Sequence, residues 1–170
     1  MTELDRQDKL YLEAAQGWLE LGNHIEADAE LECIAPQFRA HPDVLEVRWS
    51  IYANAKRWEP CLDVSETIIK IAPGRVDGWA RRSFALHAMK RTREAFDLLA
   101  PVADKFPTVW TIPYNLACYC AQLGRLNECE IWFKRAMAIN TLKTRLAAID
   151  DPDLKPFWDS MSSTFKKRID

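Results

Sequence analysis

The sequence predicts an all-α protein, a solenoid of four helical hairpins closed by a C-terminal capping helix. Three observations lead there. Columns of like residues recur every 34 residues. Within each period, apolar residues recur at three- and four-residue intervals, the spacing that lines one face of a helix. Leu21-Gly22 and Leu123-Gly124 stand midway through the first and last periods, where a chain must turn between two helices.

The hairpins occupy residues 8–41, 42–75, 76–109 and 110–143, with residues 144–170 as a capping segment of the same single domain, 1–170. At the twentieth place the segments read Ala27, Cys61, Ala95 and Cys129, small in all four. The eighth place reads Ala15, Trp49, Ser83 and Ala117, small in three. The eleventh, Trp18, Tyr52, Leu86 and Cys120, and the twenty-seventh, Ile34, Ile68, Val102 and Ala136, are apolar or aromatic. Small residues mark close helix approach, because a bulky side chain there pushes the pair apart. One hairpin of this size leaves its apolar face bare, so neighbours stack and share a core.

In the first segment Pro36 ends the second helix early, leaving Gln37–His41 as a long connection. In the second, Trp49 stands in a small-residue column, which predicts a splayed or rotated hairpin or a shifted first helix. In the third, Pro101 falls within the second helix and predicts a kink or a lost backbone hydrogen bond. Pro73 and Pro107 close the second and third segments. The fourth carries Ile112, Leu116, Tyr119, Cys120 and Leu123 on one face, and Pro113 sits harmlessly in its first turn. Thr141–Ile149 reads as a short helix, and Asp151-Pro152-Asp153 as a cap with Pro in the first turn. Leu154, Phe157, Trp158, Met161 and Phe165 then form an amphipathic pattern that covers the open end of the stack, followed by solvated Lys166-Lys167-Arg168.

These columns resemble the tetratricopeptide repeat family, which places bulky residues at four, seven and eleven, small ones at eight and twenty, and Pro near thirty-two. The match covers about residues 8–141. Asn115–Cys129 fits best, and Trp79, Ser83, Leu86, Glu94-Ala95 and Pro107 fit clearly. Arg48 and Arg82 depart from the pattern by standing where the family usually has Leu. The resemblance implies a right-handed solenoid whose first helices line a concave groove that holds a partner. Carried over place by place, the groove comprises Leu12, Gln16, Leu19, Glu46, Ser50, Arg81, Phe84, His87, Tyr114, Asn115, Cys118 and Gln122. Phe84 and Tyr114 are either anchors for an apolar segment or packing residues between hairpins. The Lys/Asn/Asn/Lys/Arg clamp of chaperone-binding members is not expected: its places hold Leu12, Gln16, Val47, Asp77 and Arg81, of which only the last matches.

Composition and motifs oppose other classes of function. With 23 basic and 25 acidic residues and a pI near 6.0, a nucleic-acid-binding face is not expected. No apolar run is long enough to span a membrane. The polar start, Met1-Thr-Glu-Leu-Asp-Arg, lacks the pattern of a signal peptide. The odd set of Cys33, Cys61, Cys118, Cys120 and Cys129 reads as reduced thiols, so a cytoplasmic location is expected. His24, His41 and His87 lack partners at metal-ligand spacing, and no nucleophile–base or phosphate-loop motif occurs. No metal, cofactor or enzymatic activity is expected. Trp18 and Trp79 fall in core columns, while Trp110, Trp132 and Trp158 are stacking contacts or an exposed patch for self-association. The expected function is reversible docking of a protein or peptide. The alternative is self-association, with the groove filled by the C-terminal helix of its own or a neighbouring copy.

Overall fold

A computed structural model describes residues 3–161, and every regular element in them is helical. The expectations for Phe165 and for Lys166-Lys167-Arg168 lie outside the described residues. Helices α1 (Arg6–Glu20), α2 (His24–Glu32), α3 (Pro42–Asn54), α4 (Trp58–Ile71) and α5 (Val76–Ala88) come first. Then follow α6 (Thr92–Leu99), α7 (Thr111–Gln122), α8 (Leu126–Ile139), α9 (Thr141–Ala148) and α10 (Lys155–Ser160). Short 3-10 turns occupy Pro36–Phe38, Ala100–Val102 and Pro152–Leu154. The chain forms two compact units, one ending at Ala85 and the other beginning at Leu86.

The turns inside the hairpins repeat with the sequence period. Gly22, Lys56, Lys90 and Gly124, each 34 residues apart, all hold left-handed backbone, with φ of 76°, 55°, 64° and 73°. The next amide in each case reaches back five residues: Asn23 to Trp18, Arg57 to Tyr52, Arg91 to Leu86 and Arg125 to Cys120, at 2.8–2.9 Å. This is the Schellman closure, which satisfies a carbonyl that the helix end would otherwise orphan. Its acceptors are the apolar column at the eleventh place, so one register fixes both the turn and the core contact.

In the first unit, Ala15, Ala27, Leu31, Ile34, Val44 and Ile51 are buried together, and Tyr11, Trp18 and Leu19 pack against them. Burying a side chain the size of Leu31 stabilises by about 1.5–3 kcal/mol. Asp5 caps α1 by accepting from the Asp8 amide at 2.8 Å, and Asp8 in turn accepts from the Ala35 amide at 2.9 Å. That second bond ties the start of α1 to the long connection after α2. Pro36 shapes that connection as expected: α2 stops at Glu32 and the Pro opens a 3-10 turn. Trp49 is accommodated in the core, where its ring meets Phe84 edge-on at 6.1 Å and the Arg81 guanidinium stacks on it at 4.7 Å. Arg48 reaches Glu32 at 3.0 Å and Asp28 at 3.4 Å, an ionic use of a place where Leu would pack.

In the second unit, α6 ends at Leu99 and Pro101 lies in the 3-10 turn that follows, so the helix is interrupted where the Pro demands. Helix α7 is buried almost all round: of the stretch Ile112–Ala121 only Asn115 retains partial exposure. A helix apolar on every side must be covered on every side. Phe157 of α10 is 2% exposed and lies beside Phe133 of α8, while Trp158 meets the same Phe133 ring edge-on at 5.4 Å. The three tryptophans left open by the sequence all make ring contacts: Trp110 with Tyr114, Trp132 beneath Arg135, and Trp158 with Phe133.

Candidate functional site: two faces of the first helices

Five of the expected groove residues gather in the first unit. Gln16 and Leu19 of α1, Glu46 and Ser50 of α3, and Arg81 of α5 line one open cleft of about 500 Å3, with Glu20, Asp43, Val47 and Asn54 completing its walls. They come together because places a helical turn apart project the same way from neighbouring first helices. Leu12 is a correction. It is 8% exposed and belongs to the core, because it supplies bulk beside Ala15 where α1 meets α2 and α3. Phe84 is 46% exposed but not in the cleft; its ring is bracketed by Trp49 and, at 5.9 Å, Trp58.

The cleft carries charge in a partly dry setting. Arg81 donates to Ser50 Oγ at 3.2 Å while its guanidinium lies over Trp49. Burial lowers its proton affinity, and Glu46 and Asp77 oppose that effect. The Glu46 carboxyl is held above the usual carboxylate range, first by burial and then by Asp77, against the pull of Arg75 and Arg81. Arg75 bridges Asp43 at 2.6 Å and Glu46 at 2.5 Å. Leu19 and Val47 add apolar wall. A surface with a partly desolvated anion, a stacked cation and two apolar groups is equipped to hydrogen-bond an extended segment and bury one of its side chains.

Four further expected residues converge in the second unit, and there they already hold something. Tyr114, Cys118 and Gln122 follow one another at four-residue intervals along α7, and the chain's own segment 151–154 lies across them. The Tyr114 hydroxyl donates to Asp151 Oδ2 at 2.5 Å, and the Cys118 thiol approaches the same oxygen at 3.5 Å. Gln122 Nε2 donates to the Asp153 carbonyl at 2.8 Å. His87 Nε2 lies 3.0 Å from Asp153 Oδ2, and its Nδ1 lies 3.0 Å from Thr92 Oγ1. Asp151 Oδ1 also accepts from the Asp153 amide at 2.9 Å, so the turn is folded upon itself. Leu154 is fully buried beside it. Asn115, on the same helix, is only half-buried and stands apart from these contacts.

The thiols show the dryness of this region. Burial raises Cys118 well above the ordinary thiol range, and the Asp151 and Asp153 carboxylates push the same way. Cys129 is pushed up to about 12 and Cys120 to about 11, both chiefly by burial. Asp151 and Asp153 were legible in the sequence only as a helix cap around a Pro. Nothing in their spacing marks α7, more than thirty residues earlier, as their partner; the fold alone brings them together. Among the described residues, no group of three or more His, Cys, Asp or Glu is arranged to hold a metal. Among them, no helix is long and apolar enough to cross a membrane.

The architecture matches solved proteins. The chain is similar to MamA (residues 41 to the end) from Desulfovibrio magneticus RS-1, with 20% identity, a TM-score of 0.69, and coverage of 84% of this chain and 82% of that one. It is similar to a thermophilic TPR protein in Thermus thermophilus, with 18% identity, a TM-score of 0.71, and coverage of 81% and 77%. It also matches MamA AMB-1 at 19% identity and a TM-score of 0.64, over 98% of this chain and all of that one. No family model matches the sequence, and no curated protein does. At these identities the likeness shows the fold, an all-α helical repeat of the tetratricopeptide type.

Proposed function

We propose that this chain is a protein-interaction module that holds an extended segment of a partner protein in the cleft of its first unit. One observation carries the reading: Gln16, Leu19, Glu46, Ser50 and Arg81, all expected to line a binding groove, border a single open cleft with charged groups on its walls. Arg81 and Glu46 fix the partner's backbone or a polar side chain, and Leu19 with Val47 takes an apolar one. The gain for the complex comes from completing the solvation of groups that burial has already made costly. Binding is reversible docking without bond chemistry.

Site-specific photo-cross-linking tests this. A photoreactive residue at position 50 is compared with one at exposed Ile131, outside the cleft. The reading expects partners trapped through position 50, and their loss when Leu19→Glu and Arg81→Glu are added to a chain that still folds. Equal trapping from position 131, or trapping that survives both substitutions, rejects it.

A further inference from the structure

The cleft of the first unit holds more negative charge than it neutralises. Glu20 of α1 and Asp43 and Glu46 of α3 stand in its walls, and Asp77 acts on Glu46 from α5. Two guanidiniums oppose them, and both are already engaged. Arg75 is shared between Asp43 and Glu46. It hydrogen-bonds Asp43, but its contact with Glu46 Oε1 lacks the alignment of a hydrogen bond, and that oxygen is closed off from water. Arg81 lies over the Trp49 ring and donates to Ser50 Oγ, while Ser50 donates in turn to the Glu46 carbonyl. Among the described residues, Arg75 is the only ion-pair partner of Glu46, and Glu20 has none. A carboxylate held in a partly dry wall without a full set of donors is costly, and a cation from outside completes it. The raised proton affinity of Glu46 expresses the same shortage, since burial and Asp77 outweigh the pull of Arg75 and Arg81.

We propose that the segment held in this cleft is basic: a lysine or arginine side chain of another protein meets the Glu46 carboxylate, and an apolar neighbour packs on Leu19 and Val47. The proposal deepens the reading of the cleft as a binding site and rests on it. Charge complementarity selects this occupant. An incoming ammonium or guanidinium finds Asp43 and Glu46 about one helical turn apart on α3, with Glu20 on the neighbouring α1. An incoming carboxylate finds Arg81 already stacked and hydrogen-bonded, and three carboxylates in the walls repel it. An uncharged segment brings Glu46 no cation and strips away the water that still solvates it. Val47 follows Glu46 directly and borders the same cleft, so the cation and its apolar neighbour lie close together in the partner's sequence. Because much of the attraction is ionic, added salt weakens the complex.

A random nonapeptide library displayed on phage and selected on the full-length chain tests it. Selected peptides are made with a fluorescent label, and their affinity is read by anisotropy. A photoreactive residue at position 50 reports whether they bind in the cleft, so place and charge preference are separate readouts. The expected peptides cross-link at position 50 and carry Lys or Arg next to Leu, Ile, Val or Phe. Changing that cation to Gln, or the chain to Glu20→Gln/Glu46→Gln, is expected to weaken binding at least about tenfold. Both changes together cost little more than either alone, because each removes the same interaction. Should the double variant fail to fold by circular dichroism, the peptide change and the salt dependence of wild-type binding decide. Peptides that cross-link at position 50 but carry acidic or uncharged residues overturn the basic assignment and leave the cleft a binding site, as do costs that add in full. Peptides that reproduce the chain's own Phe165-Lys166-Lys167-Arg168, with dimer in light scattering, make the occupant a second copy and overturn its assignment to another protein. If no selected peptide cross-links at position 50, the cleft reading itself fails and this proposal falls with it.

Discussion

Lys56 holds the same left-handed backbone as Gly22, 34 residues earlier, at φ of 55° against 76°. Both close a helix with the same pair of backbone hydrogen bonds, so the turn dictates the conformation whichever residue occupies it. A side chain in this region costs energy that Gly avoids. Lys56→Gly and Lys90→Gly are each expected to stabilise the chain by about 0.5–1 kcal/mol, with Gly22→Lys or Gly124→Lys losing a similar amount. Midpoints of urea unfolding check the order.

Gly78 of α5 lies against Ile68 and Ile69 of α4. A Cβ there would stand 2.9 Å from Ile68 Cγ2 and 3.1 Å from the Ile69 backbone nitrogen. The side chain can rotate away from it but the backbone cannot, so the helices must part. Gly78→Ala is expected to destabilise by about 1–3 kcal/mol despite the better helix propensity of Ala. An unfolding midpoint at or above that of the wild type would show that the contact relaxes freely.

Cys33 is the exposed thiol, whereas Cys61, Cys118, Cys120 and Cys129 are buried. Burial also raises the proton affinity of those four, Cys61 to about 11. Since the thiolate is the nucleophile, both access and ionisation oppose their reaction. A disulfide reagent at pH 8 is expected to titrate one thiol rapidly in the folded chain and the other four only after denaturant is added.

Much of this fold could be read from residue spacing, because the 34-residue period comes from local requirements that recur in sequence. Small residues at Ala27, Cys61, Ala95 and Cys129 are all fully buried, and Pro36 and Pro101 stop helices through backbone chemistry that no tertiary contact can reverse. The exceptions depended on partners distant in sequence. Leu12 carries the periodicity of a groove residue, but the core of the first unit claimed its bulk. Trp49 breaks a small-residue column and is accommodated by Phe84 and Arg81, more than thirty residues later. Of the groove places, Gln16, Leu19, Glu46, Ser50 and Arg81 line an open cleft, while His87, Tyr114, Cys118 and Gln122 are occupied from Asp151 and Asp153. No spacing rule foretells which face a chain's own tail will cover.

Glu46 gives the pH dependence a definite sign. Burial and Asp77 raise its folded pKa above the ordinary 4.5, so the folded chain binds this proton more tightly than the unfolded one. Stability therefore falls as pH rises from about 4.5 through the raised value, and the penalty is absent below that window. Glu46→Gln removes the ionisation. Its stability is expected to gain on the wild type across that window and to hold the gain at neutral pH, as followed by urea unfolding at several pH values. An unchanged difference between the two at every pH would place the carboxyl in an environment no drier than water.

The bond from Tyr114 to Asp151 makes the most local prediction. Its acceptor is a carboxylate that also caps the 3-10 turn Pro152–Leu154, so losing the donor weakens both the docking of the turn and the order within it. A hydrogen bond to a charged group contributes about 1.5 kcal/mol at the modest end, equivalent to about a tenfold change in an opening equilibrium. Tyr114→Phe keeps the ring that packs near Trp110 and deletes only the donor. Amide exchange in 151–161, including the Leu154 and Met161 amides that donate to Asp151 and Trp158, is expected to speed up about tenfold. Exchange in α1–α4 should stay as in the wild type. Gln122→Ala, which removes an exposed donor to the Asp153 carbonyl, should speed it much less, because water replaces that bond at little cost. If both variants accelerate exchange equally, the Asp151 carboxylate is not what holds the segment in place, and the apolar contacts of Leu154 and Phe157 hold it alone.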